Sequence, residues 1–533
     1  MSRPLVSIAL LVFALAGLLP LAIMLGRISP DDLSALASWR ILSLLGRTVR
    51  LGLGASLFAL TLGLPFGFLV ARTDIPGART LRALGVVPLL LPPLFLAMTW
   101  SVLWRGLVGP PAAVFCLGLS TFPLVAIFSA RAFERIDARS EEAALLVGGL
   151  GAALRMELPL VLPAALAGAA LAFAFAVNDF AVPDYLSWDG PKFNVYADEI
   201  FLNWTLAQES GSAGGLAMAS ALPLIALTLL ALVPALRLRR RGAFTTLGSD
   251  FRTPTRLALG AWRLPAFAFC LGVVVLGCVL PLGRLLWEAA ELPKHTAADA
   301  SIAGTPLFTA VLQSLRATFA MALDQAREDI GRSLVYAAVA AALAAPLGLV
   351  LGHAIERISR PRLGRGLELL ALLPLAAPAI GFSIGGIAAW NREWTAGFYQ
   401  SGAMPIWMYL GRFATFAVLL SSGAAAALSP ALEEAGALAG AGPTRRMLAI
   451  VAPCLRGTLV AGFLLVFVFA MRDLDSAILV PAANKTAVCR LFNALHFGRQ
   501  GFIAALSLLI AFAILLPGLL WLVFARRRLE VLP

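Results

Sequence analysis

Along the chain, apolar runs of about twenty residues alternate with short polar breaks, and each run is long enough to cross a bilayer as one helix. Six are predicted before the midpoint: 5–26, 48–71, 83–104, 112–130, 160–180 and 214–236. Six follow it: 264–287, 333–356, 367–390, 406–429, 454–472 and 501–525. A transmembrane barrel would need alternating segments of about ten residues, and none is present. The fold class expected is therefore an all-α polytopic membrane protein of about 12 transmembrane helices. The first run, Leu5 to Leu25 behind Arg3, reads as a signal anchor, since no small-residue cleavage site follows it. Between 288 and 331 an outer segment places Phe308, Val311, Leu312, Leu315 and Phe319 on one helical face, with Gln313, Arg316 and Asp324 off it. Two readings stand for it: a helix lying flat on the outer surface, or one packed into the core.

The pattern repeats. At an offset of 285, Arg47 meets Arg332, Gly63 meets Gly348, Arg72 meets Arg357, Pro76 meets Pro361 and Pro93 meets Pro378. Further on, Phe175-Ala176-Val177-Asn178-Asp179 answers Phe469-Ala470-Met471-Arg472-Asp473, and Pro159 stands as far from Asp179 as Pro453 from Asp473. Six spans is an even number, so both halves share one orientation as a parallel duplication. The boundaries expected are a first half over 1–240, a linker over 241–261 that is polar and basic, and a second half over 262–533.

Composition supports the membrane reading: of 533 residues 60% are hydrophobic and 13% charged, about half the charge of a soluble domain. The net charge of +13 resides at span ends, in Arg72, Arg79 and Arg82, Arg237 and Arg239–Arg241, Arg357, Arg360, Arg362 and Arg365, and Arg526–Arg528. With both termini cytoplasmic all of these fall inside, which is the positive-inside pattern and not a nucleic-acid footprint. Five cysteines and three histidines (His295, His353, His496) show no metal or disulfide spacing and read as core or scattered residues. No P-loop or H-E-x-x-H occurs, so the chain is expected to carry no nucleotide site of its own.

One polar island occurs in each half, after the fourth span. The first holds Glu141, Glu142, Ala143 and Ala144, then Gly148, Pro159 and Pro163. The second holds Glu433, Glu434, Ala435 and Gly436, then Gly440, Gly442-Pro443 and Pro453. The acid pairs suit a helix N-terminus and the glycines a sharp end, so each island is expected as a helix–turn–helix on the inner surface. An acid followed by two small residues, a Gly six residues after the acid and a Pro near the next span resembles the coupling motif of binding-protein-dependent ABC importer permeases. Gly436 replaces the second Ala, and Pro159 arrives two residues early. The resemblance covers essentially the whole chain and looks most like the fused double permeases of the ferric-iron and thiamine importers.

That resemblance implies a type I ABC importer permease fold of two parallel six-helix repeats in the bacterial plasma (inner) membrane. It implies two copies of a cytoplasmic ABC ATPase as partners, which use ATP and Mg, and a periplasmic or extracellular substrate-binding protein. It implies no cofactor bound by this chain and no enzymatic activity of its own. It assigns the two islands, from Glu141 to Gly148 and from Glu433 to Pro443, to ATPase coupling. Asn178, Asp179, Arg472, Asp473 and Asp475 close spans five and eleven, for which two readings stand: a translocation path or outer gate, or residues at the outer headgroups. Arg412, near the outer end of span ten, is expected to snorkel. The ferric-iron type is the substrate expected, with thiamine, polyamine, phosphonate or sulfate as alternatives. A 12-span secondary transporter of parallel halves is the rival class.

Overall fold

Nine helices among the described residues are long and apolar enough to cross a membrane singly, and three bent pairs pass the same test together. They arise in a computed structural model that describes residues 3–187, 193–210, 214–242, 252, 255–290, 307–479, 481, 484–495 and 500–529. His295, His496 and the linker residues 243–251, 253 and 254 lie outside the described residues. The spans are Pro4–Gly26 (one), Trp39–Arg72 (two), the pair Ala78–Leu90 and Pro93–Leu103 (three), Gly109–Phe133 (four), Gly151–Asn178 (five) and Gly215–Ala235 (six). The second series is Gly260–Ala290 (seven), Thr309–Arg357 (eight), the pair Arg362–Ala376 and Ala379–Trp390 (nine), Ala403–Ala427 (ten), the pair Pro443–Cys454 and Arg456–Arg472 (eleven) and Gln500–Trp521 (twelve).

Spans three and nine bend for the same local reason. The residue before a proline is pushed out of the helical region, and the proline has no N–H to continue the ladder. Leu91 before Pro92 is extended, as is Ala377 before Pro378, and the two helices meet at 97° and 99°. The outer amphipathic stretch is not a separate surface helix. It is the start of one continuous helix, Leu307–Arg357, whose 51 residues run on into span eight.

Close packing uses the glycine pair that the repeat had aligned, Gly63 and Gly348, and a second glycine one turn beyond each. An added Cβ at Gly63 would lie 2.7 Å from the Phe122 carbonyl oxygen, and one at Gly67 2.6 Å from that of Ala126. In the second series, Gly348 and Gly352 stand in the same way against Ala417 and Ser422, at 2.5 Å from backbone atoms. Each pair is a small-x-x-x-small stripe that brings span two against span four, or span eight against span ten, at backbone distance.

The helices form two compact units. One contains Met1–Ala35, Ile200–Leu222 and Leu285–Pro533; the other contains Leu36–Glu199 and Pro223–Arg284. Span one thus belongs with the second-half helices. A Cβ on Gly411 of span ten would meet the Ala16 carbonyl oxygen at 2.1 Å, and one on Gly385 that of Pro20 at 2.4 Å. Span seven belongs with the first-half helices, where a Cβ on Gly277 would lie 2.8 Å from Pro88. Of the five cysteines four are buried, and Cys454 is exposed.

Candidate functional site

Both islands form helices, and both are tied to the preceding helical hairpin by an arginine. In the first, Asp137 caps a helix from Ala138 by accepting from the Arg139 N–H at 2.9 Å, which places Glu141 in the first turn. The Glu141 carboxylate turns inward to Arg72, the last residue of span two, at 2.5 Å. Glu157 approaches the same guanidinium at 3.4 Å. All three are buried. A buried pair of this kind is weak evidence of net stability, but removing one partner strands the other charge.

The second island starts at Pro430, a suitable first helical residue, and runs to Leu438 with Glu433 in its first turn. Glu433 Oε1 accepts from Arg357 Nε and meets His353 Nε2, each at 2.9 Å. Burial pushes its carboxyl up, but the hydrogen bonds and charges of His353 and Arg357 outweigh that and hold it below the ordinary range. Arg357 also donates to the Leu428 carbonyl at 2.7 Å, and Arg446 to the Glu433 carbonyl at 3.3 Å. A small cavity of about 30 Å³ beside the clamp is lined by Leu5, Val6, His353, Glu433 and Arg446.

The acid pair therefore divides. Glu141 and Glu433 face inward; Glu142 and Glu434 are exposed, Glu142 beside Arg252 at 3.5 Å. Ala143 and Ala435 are exposed with them, and Ala144 is half-buried. One turn beyond each outward acid stands a leucine open to solvent, Leu146 at 89% and Leu438 at 91% exposure. Gly436, in place of the second alanine, fits its neighbour: an added Cβ would lie 2.5 Å from Ile450 Cδ1.

The turns differ from the sequence expectation in two details. The second island ends on a Schellman arrangement, with Ala441 N–H to the Gly436 carbonyl and Gly440 N–H to that of Ala437, both 3.0 Å. Gly440 takes φ +78°, but an added Cβ would meet open space, so only its backbone angle demands glycine. In the first island the left-handed residue is Gly149 (φ 62°), one beyond Gly148, which is non-helical at φ −159° and ψ 23°. Pro443 opens the second short helix, which meets Arg456–Arg472 at 77°. After Gly149 the first island instead runs directly into span five, carrying Pro159 and Pro163 inside the helix. The early proline reflects that difference.

At the far ends of spans five and eleven, Asn178 donates to the Ala174 carbonyl (2.8 Å) and to Thr228 Oγ1 (3.1 Å). Asp179 Oδ1 accepts from the Val182 N–H at 2.9 Å and starts the next helix. Asp473 is buried and pairs with Arg412 at 3.1 Å; Arg412 also reaches Ser476 at 3.2 Å. Arg412, expected to snorkel, is instead 12% exposed along its side chain within the helical bundle. Arg472 lies over the Phe469 ring at 5.1 Å, and Asp475 opens a short helix. Sequence reasoning missed the role of Arg72 and Arg357, which it used to align the halves and to orient the chain, and it missed the roles of His353, Glu157 and Arg412. A basic residue one turn or more beyond a paired glycine stripe in both halves was the available signal.

No protein-family model matches the chain. It is 28% identical over 214 residues to the putrescine transport system permease protein PotI of Escherichia coli K12, covering 38% of this chain and 74% of that protein. It is 29% identical over 150 residues to the molybdenum transport system permease protein ModB of the same strain, covering 24% of this chain and 63% of that protein. It is 29% identical over 151 residues to the "Probable molybdenum ABC transporter permease protein" of Haloferax volcanii, covering 25% and 55%. The proteins that it resembles are transport permeases, and none of these names carries iron.

Proposed function

We propose that the chain is the permease subunit of a type I, binding-protein-dependent ABC importer, with both six-span halves fused in one polypeptide. The observation that carries this is the repeated, anchored island. In each half an arginine at the end of a span holds the first glutamate inward, while the second glutamate and a leucine one turn on face solvent. An element held rigidly at its base and open at its tip suits insertion into a cleft of another protein. Two copies of a cytoplasmic ABC ATPase are the partners proposed; ATP and magnesium act there and not on this chain. A soluble binding protein delivers cargo at the opposite face. Both termini, the linker and both islands are then cytoplasmic in a bacterial inner membrane. Thr444, exposed in the second island, tests this: Thr444→Cys should resist an impermeant thiol reagent in intact cells and label after lysis. Labelling in intact cells overturns the orientation.

For cargo, a cationic solute is the reading preferred. Asp179, Asp184 and Glu199, the last paired with Arg40 at 2.7 Å, each act electrostatically on Asp198 in the unit built from the first-half helices. Putrescine and ferric iron both satisfy that charge, and the similarity to a putrescine permease supports putrescine as the first of the two to test. Uptake of labelled putrescine, ferric iron and molybdate by cells with and without the chain tests it. Molybdate uptake alone overturns the cationic reading.

A further inference from the structure

The two islands are anchored by different pieces of chain. In the second, the spare arm of Arg357 donates to the island's own entry, the Leu428 carbonyl. In the first, the spare arm of Arg72 reaches out of the hairpin to the Thr255 carbonyl of the linker, at 3.5 Å. The linker then runs beside the end of span two. The Leu257 N–H donates to the Arg72 carbonyl at 2.7 Å, and the Asp74 N–H donates back to the Leu257 carbonyl at 3.2 Å, a parallel bridge between Thr73 and Leu257. The Leu259 N–H caps onto Asp74 Oδ1 at 3.1 Å, and Arg263 Nε donates to the Asp74 carbonyl at 3.0 Å. At the other end, the Ala138 N–H, at the start of the island helix, donates to the Arg252 carbonyl at 3.0 Å, and the Arg252 side chain faces Glu142.

We propose that Arg252 and residues 255–259 are a positioning strap for the first island, and that the linker is more than a tether between halves. It fixes three parts of the site at once: the end of span two, the first residue of the island helix and the outward glutamate. It also helps cover the arginine clamp, since Arg72 is 1% exposed, while the Arg357 side chain, which the second island holds unaided, is 20% exposed. The inference leans on the docking reading only for its consequence, that a loosened first island couples poorly. The strap itself is a statement about this chain alone.

The test uses the full chain in a Cys454→Ser background, because Cys454 is the exposed thiol. A nitroxide is placed at Leu146→Cys, or separately at Leu438→Cys. Leu257→Pro removes the N–H that bonds Arg72; Asp74→Ala removes the acceptor of the Leu259 N–H and leaves the backbone intact, so it remains informative if the proline variant does not insert. In both, the spectrum at 146 should shift towards greater mobility while that at 438 stays unchanged, and uptake by the same two variants with Leu146 and Leu438 intact should fall. Unchanged mobility at 146, or an equal gain at both sites, overturns the strap. A looser label at 146 with uptake undiminished leaves the strap in place and overturns the docking reading instead.

Discussion

Glu433 and Glu434 are neighbours of identical chemistry, and the structure turns them in opposite directions. Glu433→Ala removes a carboxylate that meets both Arg357 and His353 at 2.9 Å, from a side chain 16% exposed. A hydrogen bond to a charged group contributes about 1.5–3 kcal/mol. Two that share one oxygen do not add fully, and Arg357 keeps its bond to Leu428. The net loss is about 3 kcal/mol, which is roughly a hundredfold rise in local opening. Glu434 is exposed, and its removal should cost under about 0.5 kcal/mol in the isolated chain. Amide hydrogen exchange of the peptide spanning 430–446 measures both in the purified permease. Glu433→Ala should speed exchange there by about two orders of magnitude, with Glu434→Ala close to wild type. Association with the ATPase should fall in both variants, through disorder in one and a lost contact in the other. Equal exchange in the two variants would refute the inward–outward division.

Other outcomes follow from the same geometry. Arg72→Ala strands two buried carboxylates and should cost about 3–5 kcal/mol, more than Arg357→Ala, as read by the fraction of each variant recovered folded in detergent. Gly440→Asn should be tolerated and Gly440→Val should disrupt the turn, because the site restricts φ and not volume; exchange of the 436–446 amides distinguishes them. Burial pushes the Asp198 carboxyl up to about 7, with the charges of Asp184, Asp179 and Glu199 adding to it against one hydrogen bond from the Val195 N–H. A raised acid favours the folded state while it is protonated, so stability from this group is present in acid and is lost as pH rises towards and through 7. Asp198→Asn should flatten that part of the melting-temperature profile; an unchanged slope counts against the assignment.

The helices were legible because a bilayer leaves the backbone few other solutions, and every predicted apolar run lies on a spanning helix or a bent pair. Gly63 was legible as an alignment with Gly348, though not as a contact, and Gly67 and Gly352 were not singled out. What could not be read was which helices share a unit. Apolar faces of similar composition give no pairing signal, so the grouping of span one with spans ten and nine rests on the fit of Gly17 to Gly411 and of Gly385 to Pro20. The island acids were found by their repetition, but direction was not. Two adjacent residues on a helix point about 100° apart, and only the position of Arg72 or Arg357 decides which one turns inward. Arg412 was misjudged because the sequence does not reveal Asp473 beside it. A charge with a buried partner has no need to reach the membrane surface.

If the two islands seat an ATP-hydrolysing partner, Leu146 and Leu438 are the side chains that probe it, being nearly fully exposed. The measurement is binding-protein-stimulated ATP hydrolysis by the reconstituted permease and its copurifying ATPase, with Leu146→Asp, Leu438→Asp and the double variant. Each single change should reduce stimulated hydrolysis and ATPase recovery while the melting temperature of the permease alone holds, and the double variant should abolish both. Full stimulated hydrolysis in the double variant, or the absence of any copurifying ATPase with the intact chain, would show that the islands do not seat the ATPase.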